Sequence, residues 1–250
     1  MTEQTALSSG MAARARPEII AMKGYVSARS LVESGGSTVF LDANECPYEP
    51  FVGASGLARY PMQQPPELLA VVCDWLDLSS RNVSIMRGAD EAIDSLMRAF
   101  CVPAVDNIIV CPPTFAMYRQ SAILQGVEVR EAPLAEGFAL DVDGVLAAVD
   151  DNTKLVFVCS PNNPTANLMD RQAVERLCLS LAGRALVVVD ETYIEYAGVD
   201  SMAEALERFE NLVVLRTLSK SHAAAGVRCG VAVARALSLI HISEPTRHCL

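Results

Sequence analysis

The sequence predicts an α/β fold built on a mostly parallel β-sheet. Two observations carry that expectation. Short apolar runs rich in Val and Leu recur along the chain without polar alternation and end in turn residues, as strands buried on both faces do. Segments with helical apolar spacing lie between them, and strands alternating with helices indicate parallel βαβ units.

Taken in order, the N-terminal stretch "MTEQTALSSGMAARARPEII" lacks the apolar core of a signal peptide, and Glu3 argues against a transit peptide. Residues 1–50 are expected to form a partly disordered, untargeted N-terminal arm, and the protein is expected to be cytoplasmic. "NECPYEPFVGASGLARYPMQQPPE" is rich in Pro and Gly and reads as a long ordered loop entering a domain that runs over residues 51–236. In "ADEAIDSLMRAF", Ile93, Leu96, Met97 and Phe100 recur at helical spacing. Then follow strand "NIIVC", helix "FAMYRQSAILQ", strand "VEVREA", helix "DVDGVLAAVD", strand "KLVFVCS", helix "DRQAVERLCLSLA", and strands "ALVVVD", "NLVVLRT" and "RCGVAVA". No internal repeat or low-complexity tract interrupts them.

Composition narrows the function. With 250 residues and 51% hydrophobic content, the chain can bury a sizeable core. A formal net charge of -10 argues against nucleic acid and against an anionic membrane surface, though a few local arginines still permit a small anionic ligand. No apolar run is long enough to span a bilayer. The eight cysteines form no CxxC pair, and several lie inside apolar runs, where cysteine behaves as a small hydrophobe. Only three histidines occur, so no metal site is expected.

In a parallel sheet, ligands bind beyond the carboxyl ends of the strands. The residues there are "PPTF" after "NIIVC", "SPNNPT" after "KLVFVC", "DETY" after "ALVVV" and "TLSKS" after "NLVVLR". Asp190 closes an all-apolar strand, where a carboxylate either caps the following turn or meets a cation. Lys220 either pairs with Asp190 or is a nucleophile that holds a carbonyl cofactor as a Schiff base. A pyridoxal phosphate site needs such a lysine, an acid for the ring nitrogen, and a phosphate cup. Arg228 can supply a charge-assisted fork and Ser219 a hydroxyl. Gly88 precedes a helix opening near Ala89 and Asp90, whose N–H groups suit phosphate, although Asp90 is also an ordinary cap residue. Phe115 is either a core aromatic or a flat face for a cofactor ring.

Several motifs occur in one order: "LDANECPY", "RYPMQQPPEL", "GADEAID", "PPTFAMYR", "VCSPNNPT", "VVVDETYIEY" and "RTLSKSHAAAGVRCG". From about Arg16 to Ala236 the chain resembles the histidinol-phosphate aminotransferases, fold-type-I, class II enzymes dependent on pyridoxal 5'-phosphate. The resemblance implies a three-layer α/β/α large domain, preceded by the N-terminal arm. It implies that Lys220 forms the internal aldimine and then moves the substrate proton, while Asp190 keeps the ring nitrogen protonated. It gives Asn163 and Tyr193 to the phenolate oxygen, Phe115 to the ring face, and Ala89, Asp90, Ser219 and Arg228 to the phosphate. Tyr60 would reach the phosphate in the neighbouring subunit of a homodimer, and Asn44 would lie near substrate. The implied reaction, within histidine biosynthesis, converts histidinol phosphate and 2-oxoglutarate to imidazole-acetol phosphate and glutamate.

The sequence departs from the family in two places. Ala166 stands where relatives usually carry glycine, which costs stability if that backbone needs a positive φ. After "GVAVARAL" the tail "SLIHISEPTRHCL" has no similarity to the family, so residues 237–250 are expected to be foreign to it and the small C-terminal domain to be missing. Two other readings stay open: a pyridoxal-phosphate-dependent decarboxylase of a phosphorylated amino acid, and an inactive truncated fragment.

Overall fold

The computed structural model describes residues 10–21, 48 and 64–235. Seven strands form one sheet: β1 (Val83–Met86), β2 (Asn107–Val110), β3 (Glu128–Glu131), β4 (Thr153–Cys159), β5 (Leu186–Asp190), β6 (Leu212–Thr217) and β7 (Gly230–Ala234). Their order across the sheet is β1-β7-β6-β5-β4-β2-β3. The pairs from β3 through β2, β4 and β5 to β6 are parallel, and β7 runs antiparallel to both β6 and β1. The expected mostly parallel α/β sheet is therefore present.

Continuous apolar runs are explained by cover on both faces. In β4, Leu155, Phe157 and Cys159 join one core cluster while Val156 and Val158 join the other. Helices α3 (Ala89–Phe100) and α4 (Met117–Leu124) pack on the first face, together with the short α1 (Pro17–Ala21). Helices α2 (Pro66–Leu76), α5 (Val142–Ala148) and α6 (Arg171–Ser180) pack on the second. The result is three layers. Edge strand β3 is the exception to two-sided burial, with Glu128 and Glu131 exposed. That fits an edge, where charge also blocks pairing with another chain.

Two elements differ from the sequence expectation. The stretch read as loop up to Glu67 already enters α2, which begins at Pro66. Proline is compatible with a first helical turn, where its missing N–H would have had no partner. Strand β1 was not anticipated, because four residues with a buried serine carry little periodic signal.

Ala166 has φ 62° and an exposed side chain. The left-handed region strains any residue with a Cβ. Ala166→Gly is expected to stabilise the chain by about 0.5–1 kcal/mol, the relief being partly offset by glycine's greater unfolded entropy. A raised urea midpoint with an unchanged slope is the reading that checks it.

Candidate active site

The sheet directions decide which residues meet. Cys159 lies opposite Asp190, so β4 and β5 end level with each other. Because β7 is antiparallel, its first residue, Gly230, pairs with Thr217 at the end of β6 and with Met86 at the end of β1. The Arg228 turn, the Lys220 turn and the start of α3 thus converge on the same carboxyl edge. They enclose a cavity of about 130 Å³ lined by Ala89, Asp90, Phe115, Cys159, Asn163, Asp190, Thr192, Tyr193, Thr217, Ser219, Lys220 and Arg228. Nine of these were expected from sequence; Tyr60 and Asn44 lie outside the described residues.

At one end stands Asp190, 3% exposed. Its Oδ1 accepts from the Thr192 N–H at 3.0 Å and the Thr192 hydroxyl at 2.6 Å, so it does cap the following turn. Its Oδ2 accepts from the Tyr118 hydroxyl at 2.6 Å. Among the described residues no cation lies within ion-pair distance, and Lys220 does not pair with it. Burial pushes the Asp190 carboxyl above its ordinary value, and the three hydrogen bonds pull it partly back. A raised folded value means the folded state holds this proton more tightly. The associated stability is present below the ordinary carboxylate range and is lost as pH rises through the folded titration.

The same lining also carries a group of donors that would suit an anion. Gly88 is the N-cap of α3 and offers no side-chain cap, so the first amides of a 12-residue helix are free to face a ligand. Asp90 sits in the first turn and is not the cap. Arg228 adopts a left-handed backbone, φ 54°. Its guanidinium donates to the Ala225 carbonyl at 3.2 Å and lies 4.0 Å from the Asp90 carboxylate, with more than half of that side chain exposed. Gly88 has φ 95°, and a Cβ there would come 2.7 Å from Arg228 Nη2. Ser219 adds a hydroxyl, 3.0 Å from that of Thr217.

The two asparagines of "SPNNPT" divide the work. Asn162 is spent on the turn: its Nδ2 donates to the Pro113 carbonyl and to Thr165, and its Oδ1 accepts from Thr114. Asn163 faces the cavity and, with Tyr193, also lines an adjoining cavity of about 470 Å³. Phe115 packs edge-on against Tyr118 with ring centroids 5.6 Å apart. Cys159 is no nucleophile, because burial pushes its thiol up to about 12.

The Lys220 turn is tied to the core from below. The His222 ring meets the Trp75 ring edge-on at 5.1 Å, and the buried Arg216 guanidinium lies 4.9 Å from the centre of the Trp75 ring. Arg216 in turn contacts Glu195 at 2.5 Å and Glu191 at 3.7 Å, on the loop that follows Asp190. Tyr118, Thr192, Thr217 and the Arg216–Trp75–His222 stack had no assigned role in the sequence reading. The "DET" spacing, a carboxylate two residues before a hydroxyl and N–H, was the available signal for Thr192.

The sequence profile of the family "Aminotransferase class I and II" matches residues 42–246. The chain belongs to that family. Among curated relatives, histidinol-phosphate aminotransferase of Aliivibrio fischeri (strain MJ11) is 42% identical over 222 residues, 88% of this chain and 63% of its own. The enzyme of the same name from Pectobacterium atrosepticum is 44% identical over 222 residues, covering 88% and 61%. The chain therefore spans less than two thirds of these relatives. Solved aminotransferases share the fold. Histidinol-phosphate aminotransferase from Clostridium acetobutylicum gives a TM-score of 0.66 at 22% identity, over 76% of this chain and 55% of that one. Aspartate aminotransferase from Thermus thermophilus with maleate gives 0.67 at 24%, over 76% and 53%.

An aminotransferase of this family implies pyridoxal phosphate, and the cavity suits it. A buried carboxylate without a cation would suit a protonated ring nitrogen, an uncapped helix start beside Arg228 would suit a dianion, and Phe115 on the same lining would suit a ring face. Lys220 is the one amine on the lining.

Proposed function

We propose that this chain carries the cofactor-binding part of an aminotransferase that interconverts L-histidinol phosphate plus 2-oxoglutarate and imidazole-acetol phosphate plus L-glutamate, in L-histidine biosynthesis. The observation that carries the chemistry is the meeting of Lys220, the cation-free Asp190 and the Arg228 cup around one cavity. The named relatives at 42–44% identity support the substrate pair. They favour it over decarboxylation of a phosphorylated amino acid.

Pyridoxal phosphate, when bound, supplies a ring that accepts the negative charge developed at the substrate α-carbon. The chain's own residues do the rest. Asp190 would hold a proton on the ring nitrogen. Asn163 and Tyr193 would donate toward the phenolate oxygen. Arg228, Ser219 and the N–H groups of Ala89 and Asp90 would hold the phosphate, and Phe115 would cover a ring face. Lys220, the one amine on the lining, would anchor the cofactor and serve as the group that carries the α-proton. Tyr60 would complete the phosphate site of a neighbouring subunit, making the enzyme a homodimer, and Asn44 would approach the substrate. A cytoplasmic location belongs to the same reading; no helix among the described residues is long and apolar enough to cross a membrane.

The test is an absorbance spectrum of the purified chain with pyridoxal phosphate, before and after glutamate. The expected result is a bound-cofactor band near the visible edge that bleaches as glutamate is added, with 2-oxoglutarate formed. Release of CO2 from a phosphorylated amino acid in its place would establish the decarboxylase. Absence of any bound-cofactor band would overturn the proposal for this chain.

A further inference from the structure

We propose that Tyr118 is a positioning residue that fixes the orientation and charge of the Asp190 carboxylate, and thereby the register of the cofactor ring. The inference rests on the aminotransferase reading above and adds to it a residue outside the cavity lining.

Tyr118 is 0% exposed, in the first turn of α4. Its ring stacks on Phe157 of β4, with centroids 4.7 Å apart and planes 13° from parallel, and meets the edge of Phe115 at 5.6 Å. A phenol buried between two aromatics has little room to change rotamer, so its hydroxyl is aimed as well as present. That hydroxyl donates to Asp190 Oδ2 at 2.6 Å. Thr192 occupies Oδ1 with two donors. The carboxylate is therefore held on both oxygens and cannot turn about its last torsion without breaking a charge-assisted hydrogen bond. The direction of donation is also biased. Burial and the neighbouring Asp190 push the Tyr118 phenol well above its ordinary value, which favours the hydroxyl as the donor. Through its edge contact, the same ring sets the tilt of Phe115. One side chain thus links the acid at the ring nitrogen to the aromatic at the ring face.

The test uses Tyr118→Phe in the full chain, which keeps the aromatic stack and removes only the hydroxyl. In the cofactor-free protein, the Asp190 carboxyl carbon is followed by NMR as pH is varied; its titration should move upward in Tyr118→Phe. Affinity for pyridoxal phosphate, read by fluorescence, should fall about tenfold or more, the usual effect of losing a hydrogen bond to a charged group. In an Asp190→Asn background the same change should alter affinity less than about threefold, because there is no charge left to hold. An unshifted Asp190 titration, or an equal loss in both backgrounds, would overturn the proposal. The titration needs no cofactor, so it judges Tyr118 even if the spectrum with glutamate refutes the aminotransferase reading. If Tyr118→Phe alone does not fold, comparison of Asp190→Asn with the double variant still reports the coupling, and a further affinity loss above threefold there counts against it.

Discussion

Gly230→Ala is expected to destabilise the chain by about 3 kcal/mol or more, at the upper end for a small-to-large change in a packed interior. A Cβ at Gly230 would lie 2.3 Å from the Gly88 carbonyl carbon, 2.6 Å from the Ala89 nitrogen and 2.7 Å from Gly88 Cα. All three are backbone atoms, so no rotamer change relieves the clash. Relief requires β7 to move away from the start of α3. But Gly230 is paired on both sides, to Met86 and to Thr217. Moving it opens two ladders and carries Arg228, two residues earlier, out of the proposed anion cup. Urea unfolding is the measurement. A variant within about 0.5 kcal/mol of wild type would mean that the close approach is not a constraint.

Lys220→Ala has the opposite profile. The side chain is exposed on its turn, so stability should stay within about 0.5 kcal/mol of wild type. On the proposed function the bound-cofactor band should vanish, and amino transfer should fall at least about a thousandfold, because that reading makes Lys220 both the covalent partner and the proton carrier. Lys154 cannot substitute. It sits at the start of β4, at the opposite edge of the sheet, 3.4 Å from Asp106. Lys220→Arg makes the decisive comparison, because it preserves the charge without the nucleophile. A Lys220→Arg protein that keeps the band and the activity would show that the lysine serves only as a cation.

How much of this was legible in the residues depended on range. Helix α3 matched its apolar spacing from Ala89 to Phe100, because half of its surface is core and the pattern follows directly from that. Strands β4, β5 and β6 were legible because burial on both faces makes their central residues an unbroken apolar run, with polar residues only at the strand ends. Strand β1 escaped because it is short and owes its existence to pairing with β7, more than 140 residues later in the chain. The site followed the same rule. Asp190 and Lys220 were exposed as candidates by their place at strand ends. Asn162 and Asn163 looked equivalent, and only the contacts with Pro113, Thr114 and Thr165 show that the first is consumed by the turn. Tyr118 is 72 residues from Asp190, and no local pattern announces that pair.

The cation-free burial of Asp190 has a consequence for the life of the protein in a cell. A negative charge held in the interior without a counterion is a standing cost to the cofactor-free fold. A ligand that brings the missing positive charge removes that cost and, at a hundredfold excess over its dissociation constant, adds about 2.7 kcal/mol to folding by mass action. For a chain that binds the cofactor as proposed, the ligand-free form would then be the one that opens more readily to proteases.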